Sequence, residues 1–135
     1  MTRLVTSLLF VLVLAACGSS DQARCDTCGM IVEPDSGWRA GAEGTAFDSP
    51  KCMFRHRLRH GDLEAPWVIE YYSQTRHDAE TLFYVTGTDL ESPMGRDLVP
   101  VEGRENAERL RTDHGGDRVL GWAEVDARVI DPLFQ

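Results

Sequence analysis

The sequence predicts an α+β fold in which two small, related ββαβ halves pack into one compact unit. Short β-favouring runs separated by turn residues suggest strands, and one helical segment accompanies each set of three. The two helical segments also end alike, because an Arg-Leu-Arg run precedes a histidine and glycine in both 57–61 and 109–115. Since a half of about 50 residues buries little core by itself, we expect the two halves to pack together.

The first residues have the pattern of a bacterial lipoprotein signal. Arg3 precedes an apolar run from Leu4 to Leu14, and small residues stand directly before Cys17. The run is shorter than the roughly 20 residues that span a membrane, so a lipid attached to Cys17 is the expected anchor. The predicted segments are the signal at 1–17, a polar linker at 18–24, the first half at 25–74, and the second half with a C-terminal tail at 75–135.

In the first half, a helix start is the clearest local signal. Ser49 is the expected N-cap and Pro50 the first helical residue, where its missing N–H costs nothing. The helix should bury Cys52, Met53, Phe54 and Leu58, expose its arginines, and stop at Gly61. The predicted elements are strands at 38–42 and 45–47, a helix at 51–59, and a strand at 67–72.

The second half repeats this order after a polar linker at 73–80. Pro100 predicts that its strand lies at a sheet edge, because proline cannot donate to a ladder. Leu133 and Phe134 give the tail an apolar end that could dock in a groove. The predicted elements are strands at 81–86 and 97–101, a helix at 104–112, and a strand at 118–125.

Charge and motifs argue against several classes of function. The formal net charge is −8, and loss of Arg3 with the signal makes it more negative, so nucleic acid and anionic lipid are poor partners. The sequence has no Gly-x-Ser-x-Gly elbow, phosphate-binding loop or His-Glu-x-x-His motif. We therefore expect a protein that is not an enzyme.

The stretch from Cys25 to Met30 carries the strongest chemical signal. Cys25, Cys28 and Met30 place two thiols and a thioether within six residues. Gly29 allows the backbone to fold back, and in an extended backbone Cys28 and Met30 would share one face. Soft sulfur ligands select Cu(I), zinc or an iron–sulfur cluster, and the thioether favours Cu(I). The motif thus predicts a Cu(I) site.

Other residues could complete this site. Without Cys17 the cysteines number three, so disulfides cannot pair them all, and Cys52 is a further candidate. Met94 lies in a polar loop with no helix face to fill, whereas Met53 is expected in the core. His114 is the best imidazole candidate, although a histidine at a helix end can simply stabilise that end. The other histidines, which are expected in solvent, are His56, His60 and His77.

Two other interpretations of the cysteines remain open. Cys25 and Cys28 could be the redox pair of a periplasmic thiol–disulfide oxidoreductase, but such a pair usually opens a helix, and Ile31-Val32-Glu33-Pro34 is not helical in pattern. A structural zinc module would need further ligands, which Cys52 and a histidine could supply.

Several short motifs occur here in the order found in NosL-type proteins, which the chain resembles. They are the lipoprotein signal, Cys28-Gly29-Met30, Phe47-Asp48 before Cys52-Met53, Tyr84-Val85, Pro93-Met94-Gly95 and His114-Gly115-Gly116. The resemblance implies a lipid-anchored Cu(I) chaperone at the periplasmic face of a bacterial membrane. It also implies delivery of copper to nitrous oxide reductase while the copper–sulfur centre of that enzyme is assembled for denitrification. A membrane ABC-type maturation complex is implied as a further partner. The fold of the family agrees with the two predicted ββαβ halves.

The resemblance also assigns residues by position. Cys28 and Met30 match the copper-binding Cys-x-Met, while Met94 and His114 fall in later motifs. Some members have only one mature cysteine in the motif, whereas this chain adds Cys25 and Cys52. Two arrangements are therefore possible. Either all three cysteines belong to a more sulfur-rich site, or Cys25 and Cys52 form a disulfide that leaves Cys28 free. Relatives also occur without nitrous oxide reduction, so another copper enzyme is an alternative recipient.

Overall fold

A computed structural model describes residues 21–135 of the chain. The predicted signal and Cys17 lie outside this range. The helices are α1 (Pro50–His60), α2 (Arg104–Asp113) and the short α3 (Ala127–Ile130). The strands are β1 (Ala40–Ala42), β2 (Thr45–Phe47), β3 (Trp67–Ile69), β4 (Arg76–Asp78), β5 (Phe83–Thr86), β6 (Glu91–Ser92), β7 (Gly95–Arg96), β8 (Val99–Val101) and β9 (Arg118–Gly121). Within the described range, no helix has the length and apolar character needed to cross a membrane.

The two halves have the same topology, which confirms the predicted ββαβ repeat. The first sheet has the order β2-β1-β3-β4 and the second has the order β8-β5-β9, with antiparallel pairing throughout. In each half the first strand is central, the second strand lies on one side, and the strand after the helix lies on the other. Pro100 lies in β8 at a sheet edge, as its missing N–H predicts.

Helix α1 begins and ends at the predicted residues. Ser49 is the N-cap residue, Pro50 is first in the helix, and Gly61 ends it with a φ of 97°. The cap hydrogen bond comes from another part of the chain, because the Lys51 N–H donates to Asp97 Oδ1 at 2.8 Å while the Ser49 side chain makes no cap bond. The second half therefore holds the start of α1 in place.

Four positions on α1 differ from the prediction. Arg55, His56 and Arg57 were expected in solvent and are partly buried, Arg55 against the Phe134 ring and His56 against the Phe47 ring. Leu58, expected in the core, has 41% of its surface exposed. Arg57, expected in solvent, is partly buried, with its guanidinium 4.4 Å from the Trp122 ring and donating to the carbonyls of Trp122 and Val125. A guanidinium can occupy such a place because it stacks on an aromatic ring while its N–H groups bond to carbonyls.

The core joins the halves through strand β5. Tyr84 packs edge-to-face on Phe54 of α1, with ring centroids 4.7 Å apart, while Val85 belongs to a second cluster with Ala107 and Leu110 of α2. Alternate residues of a strand point to opposite faces, so β5 is covered by α1 on one face and by α2 on the other. The halves thus form one compact unit.

Three polar segments depart from the sequence prediction. Residues 76–78, placed in a linker that crosses the predicted boundary at 74/75, form β4 and pair with β3. The hairpin of β6 and β7 was not predicted, although it encloses Pro93 and Met94. The polar linker also ends before residue 24, because Val32 N–H donates to the Ala23 carbonyl. These segments are too exposed to have an apolar pattern that marks them as strands.

The C-terminal tail docks on α1, as its apolar residues suggest. It forms a 3₁₀ turn at Asp131–Phe134, and the Arg55 guanidinium lies 3.5 Å from the centre of the Phe134 ring. The carbonyl of Leu133 accepts a hydrogen bond from Lys51 Nζ at 3.1 Å. The tail is therefore part of the folded unit.

Candidate metal centre

The segment from Cys25 to Met30 is a closed turn. The Cys25 N–H donates to the Met30 carbonyl at 2.7 Å, and the Gly29 N–H donates to the Cys25 carbonyl at 2.8 Å. Gly29 has a φ of 78°, in the left-handed region that glycine reaches without a Cβ clash. The reversal expected at Gly29 is thus present, whereas the alternative of an extended backbone from Cys28 to Met30 is wrong.

Four side chains converge at this turn. The sulfur atoms of Cys25, Cys28 and Cys52 and a carboxylate oxygen of Asp48 all lie within 4.8 Å of one another. The turn supplies Cys25 and Cys28, while Asp48 and Cys52 come from the junction between β2 and α1. All three cysteines are free thiols, so the structure has no Cys25–Cys52 disulfide. Thiolates with one carboxylate are a ligand set that suits a transition-metal ion.

Hydrogen bonds fix the turn to the β2–α1 junction. Asp26 forms a pair of bonds with Ala46, since its N–H donates to the Ala46 carbonyl at 2.9 Å and its Oδ2 accepts from the Ala46 N–H at 2.7 Å. The Thr27 hydroxyl donates to the Cys52 carbonyl at 2.7 Å. The two sources of ligands are therefore held together by backbone and side-chain bonds, not by the sulfur atoms alone.

Asp48 is the member of the cluster that the sequence analysis missed as a site residue. Its Oδ2 accepts a hydrogen bond from the Cys28 thiol at 3.5 Å. Its Oδ1 is buried and has no hydrogen-bond partner within the described residues. Buried carboxylate oxygens are nearly always bonded, and a metal ion between Asp48 and the sulfur atoms would supply the partner. The signal in the sequence was an aspartate directly before the helix cap and four residues before Cys52.

The three thiols have different acidities because they bond to one another. A hydrogen bond from the Cys52 thiol, helped by nearby backbone N–H groups, lowers the pKa of Cys25 to about 6. The same bond and burial raise the pKa of Cys52 well above its usual value. Burial chiefly, with the charges of Cys25 and Asp48, raises the pKa of Cys28 to about 11. One thiolate is therefore present at neutral pH, and a metal must displace protons from the other two thiols.

An open cavity lies beside Asp48 of the cluster. It has a volume of about 480 Å³ and is lined by Asp48, Met30, Ile31 and Pro93 among others. Met30 has 44% of its surface exposed, so it is not a core residue. Asp48 belongs both to this cavity and to the cluster of ligand atoms. The cavity therefore connects the surface at Met30 with Asp48 of the candidate centre.

Met94 follows Pro93 in the turn of the β6–β7 hairpin. It is half-buried, and its carbonyl accepts a hydrogen bond from Lys51 Nζ at 2.6 Å. Its neighbour Pro93 lines the cavity that also contains Met30. The role of Met94 as a ligand stays a prediction.

His114 occupies a different part of the molecule. It caps the C-terminus of α2, and its Nδ1 lies 2.8 Å from Asp89 Oδ1. It is not among the four residues that converge in the described chain. This placement agrees with the helix-end role that the sequence analysis weighed against ligation. Met53 is fully buried in the core, as predicted.

These features define a small protein with a duplicated ββαβ fold and a sulfur-rich candidate metal centre that opens to the surface. The NosL family model matches residues 17–130, and the chain belongs to this family. The fold is also that of the copper chaperone NosL from Shewanella denitrificans, whose crystal structure matches with a TM-score of 0.66 and 18% sequence identity. That match covers 78% of this chain and 90% of the other. A comparison with curated protein sequences gave no match.

Proposed function

We propose that this protein is a copper carrier that holds Cu(I) at the sulfur cluster and passes it to a copper enzyme. The observation that carries the proposal is the convergence of Cys25, Cys28, Cys52 and Asp48 within 4.8 Å, beside a cavity lined by Met30. Membership of the NosL family and the shared fold with a copper chaperone support it. The protein has the role of a carrier and not of an enzyme.

The chemistry of the donors favours Cu(I) over harder ions. Thiolate and thioether sulfurs are soft ligands, and soft ligands select Cu(I). Cys25 and Cys52 are buried, so they form the inner side of the site. Cys28 is half-buried and Met30 is exposed, so they form its outer side. A copper ion held between these two sides can be approached by another protein.

Transfer would proceed by exchange of ligands with no change in oxidation state. A donor of the recipient enters through the cavity and forms a bond to Cu(I) as Met30 leaves. A second donor then replaces Cys28, and the buried thiolates release the ion last. Protons return to Cys28 and Cys52, whose thiols are protonated near neutral pH in the free protein. A site with an open side permits this exchange, whereas a closed site with four ligands resists it.

Nitrous oxide reductase is the recipient that we propose, with a membrane ABC-type complex taking part in maturation. Another copper enzyme is the alternative. The lipid on Cys17 would hold the carrier at the periplasmic face of a bacterial membrane, where a short linker lets the site reach its recipient. The support is the signal pattern in residues 1–17 and the family to which the chain belongs.

Anaerobic titration of the full chain with Cu(I) against a competing chelator tests the carrier function. We expect one tightly bound ion, and we expect Met30→Leu to weaken binding at least tenfold, because it removes the thioether while keeping the apolar volume. Ile31→Leu is the matched control, since Ile31 lies in the same cavity without a sulfur. The proposal would be overturned if all the copper stayed with the chelator. An equal affinity of Met30→Leu and the unchanged chain for Cu(I) would exclude Met30 as a ligand.

A transfer assay tests the recipient. The copper-loaded chain is mixed with apo nitrous oxide reductase and its maturation complex, and enzyme activity is compared with that obtained from the same copper on the chelator. We expect activity only from the loaded chain. Cys17→Ser separates the anchor from the metal site, because it should move the protein out of the membrane fraction and leave copper binding unchanged.

A structural zinc module is the second candidate, because three thiols and a carboxylate equal the four ligands of a closed zinc site. In that case a zinc chelator would unfold the protein. A carrier, in contrast, stays folded without metal. Thermal unfolding with and without chelator decides between them.

A thiol–disulfide oxidoreductase is favoured by one observation, the lowered pKa of Cys25. The Cys25–Cys28 motif lies in a turn and does not open a helix, however, which removes the usual means of activating such a pair. Turnover of a test disulfide that persists in Met30→Leu would favour this function over a carrier.

A further inference from the structure

Two histidines lie on one face of α1, outside the sulfur cluster. His56 and His60 are four residues apart in this helix of 11 residues, and their ring centroids are 4.4 Å apart at an interplanar angle of 41°. Residues at i and i+4 lie one turn apart on the same helix face. Two histidines with this spacing are a recurring arrangement for binding a metal ion on a helix.

The two rings differ in how firmly they are held. His56 is half-buried, and its ring packs 5.2 Å from that of Phe47 at the end of β2. His60 is exposed in the last turn of the helix. One imidazole is therefore oriented in advance, while the other is free to close on an ion from solvent. This limits the entropy lost when both rings bind the same ion.

One nearby carboxylate favours a cation bound at the pair, and it opposes the positive charges of Arg55, Arg57 and Arg59 on the same helix. Burial chiefly, and then the nearby His60, lowers the pKa of His56, so its ring is neutral and offers a lone pair at pH 7. The nearby negative charge of the Asp26 carboxylate acts in the opposite direction and raises the pKa of the same ring. Asp26 is fixed there by its bonds to Ala46. A metal ion bound by both rings would also be attracted by the negative charge of this carboxylate.

We propose that His56 and His60 form a second metal site, separate from the sulfur cluster, for a divalent transition-metal ion that prefers imidazole. Among such ions we expect Cu(II) to bind most tightly, followed by Ni(II) and Zn(II). Cys52 lies one helical turn before His56, so the two sites follow each other along α1. Their ligands differ, because the helix site offers two imidazoles, whereas the cluster offers thiolates, which suit Cu(I).

Titration of the full chain with Ni(II) tests this site, because a paramagnetic ion broadens the NMR signals of the imidazoles it binds. We expect the rings of His56 and His60 to broaden together, before those of His77 and His114. We expect His60→Gln to weaken this binding at least tenfold. Because His60 is exposed, this variant should leave the fold intact, which the unchanged remainder of the spectrum verifies.

A double variant, His60→Gln with Leu58→His, keeps the number of histidines but places them two residues apart, on different faces of the helix. Leu58 is exposed, so the change is tolerated, and we expect it not to restore binding. Broadening at His77 or His114 first, equal binding in His60→Gln, or Ni(II)–thiolate absorption with no effect on either ring would overturn the proposal. These outcomes do not depend on Cu(I) binding, so they are independent of the carrier function.

Discussion

Among single residues, Asp48 links the sulfur cluster with the cavity, and its Oδ1, which has no hydrogen-bond partner among residues 21–135, makes it a testable ligand. We predict that Asp48→Asn weakens Cu(I) binding about tenfold, or about 1.4 kcal/mol, because a neutral amide of equal size replaces the anion. Asp35→Asn, at an exposed aspartate, is the control and should change nothing. Chelator competition provides the measurement, and equal affinities for the two variants would exclude Asp48 as a ligand.

The thiols give the site a dependence on pH. At pH 7.5 Cys25, with a pKa of about 6, is already ionised, while Cys28, with a pKa of about 11, and Cys52 still carry protons. An ion that binds both protonated thiols releases two protons, so its apparent affinity should rise about tenfold per pH unit for each. Below pH 6 the dependence becomes steeper, because Cys25 is protonated as well.

Measuring the apparent Kd for Cu(I) from pH 6.5 to 8.5 checks this expectation. Cys28→Ser should lower the slope by one proton per ion. If the affinity does not vary with pH, metal binding does not involve the protonated thiols.

The sequence made some site residues predictable and hid others. Cys25, Cys28 and Met30 stand within six residues, so their spacing alone indicates a shared site. Asp48 was hidden, because the following Ser49 and Pro50 give it an ordinary position before a helix. Its bond to Cys28 crosses 20 residues and leaves no local pattern.

At the level of elements, the turn from Cys25 to Met30 depends on the positive φ of Gly29. We predict that Gly29→Ala destabilises the fold by about 1 kcal/mol, because the left-handed region is unfavourable for alanine. Gly44→Ala is the matched control, since both glycines have a positive φ and an added Cβ would meet no atom within 4 Å.

Urea unfolding should give similar losses of stability for the two variants. Only Gly29→Ala should also weaken Cu(I) binding, because the turn sets the position of Met30 relative to Cys28. Equal copper affinities in both variants would mean that the geometry of this turn does not control the site.

Helices were easier to predict than strands for a physical reason. The ends of α1 are marked locally, by Ser49 and Pro50 at the start and by Gly61 at the stop. The strand predicted at 67–72 ends at Ile69, because the Glu70 carboxylate accepts N–H bonds from Ser73 and Glu102 and draws the chain into a turn. Such side-chain bonds to distant backbone are not visible in a hydrophobic pattern.

Across the whole molecule, Lys51 joins three separate segments. It is the only lysine in the chain and has 2% of its surface exposed. Its Nζ donates to the carbonyls of Met94 at 2.6 Å, Arg96 at 2.8 Å and Leu133 at 3.1 Å. Helix α1, the β6–β7 hairpin and the tail therefore depend on one ammonium group.

We predict that Lys51→Met lowers the free energy of unfolding by about 3 kcal/mol, because buried carbonyls lose their donor. Arg59→Met, which removes an exposed cation from the same helix, should change it by less than about 0.5 kcal/mol. Urea unfolding measures both. A loss of stability in Lys51→Met no larger than in Arg59→Met would contradict the role given to the ammonium.

The overall architecture was predictable because the same order of strand, strand, helix and strand occurs twice in the sequence. The contacts that join the halves were not predictable, because they depend on Tyr84 packing on Phe54 and on Asp97 capping α1. Both contacts pair residues 30 or more positions apart, and nothing local marks either partner.

The bond from Lys51 to Leu133 has a consequence for synthesis. Because one acceptor is Leu133, 82 residues further along the chain, the ammonium group has its full set of partners only after residue 133 has been synthesised. A nascent chain must keep this lysine hydrated until the segment around residue 133 has been made. A premature stop codon shortly before residue 133 would leave a charge stranded beneath the hairpin.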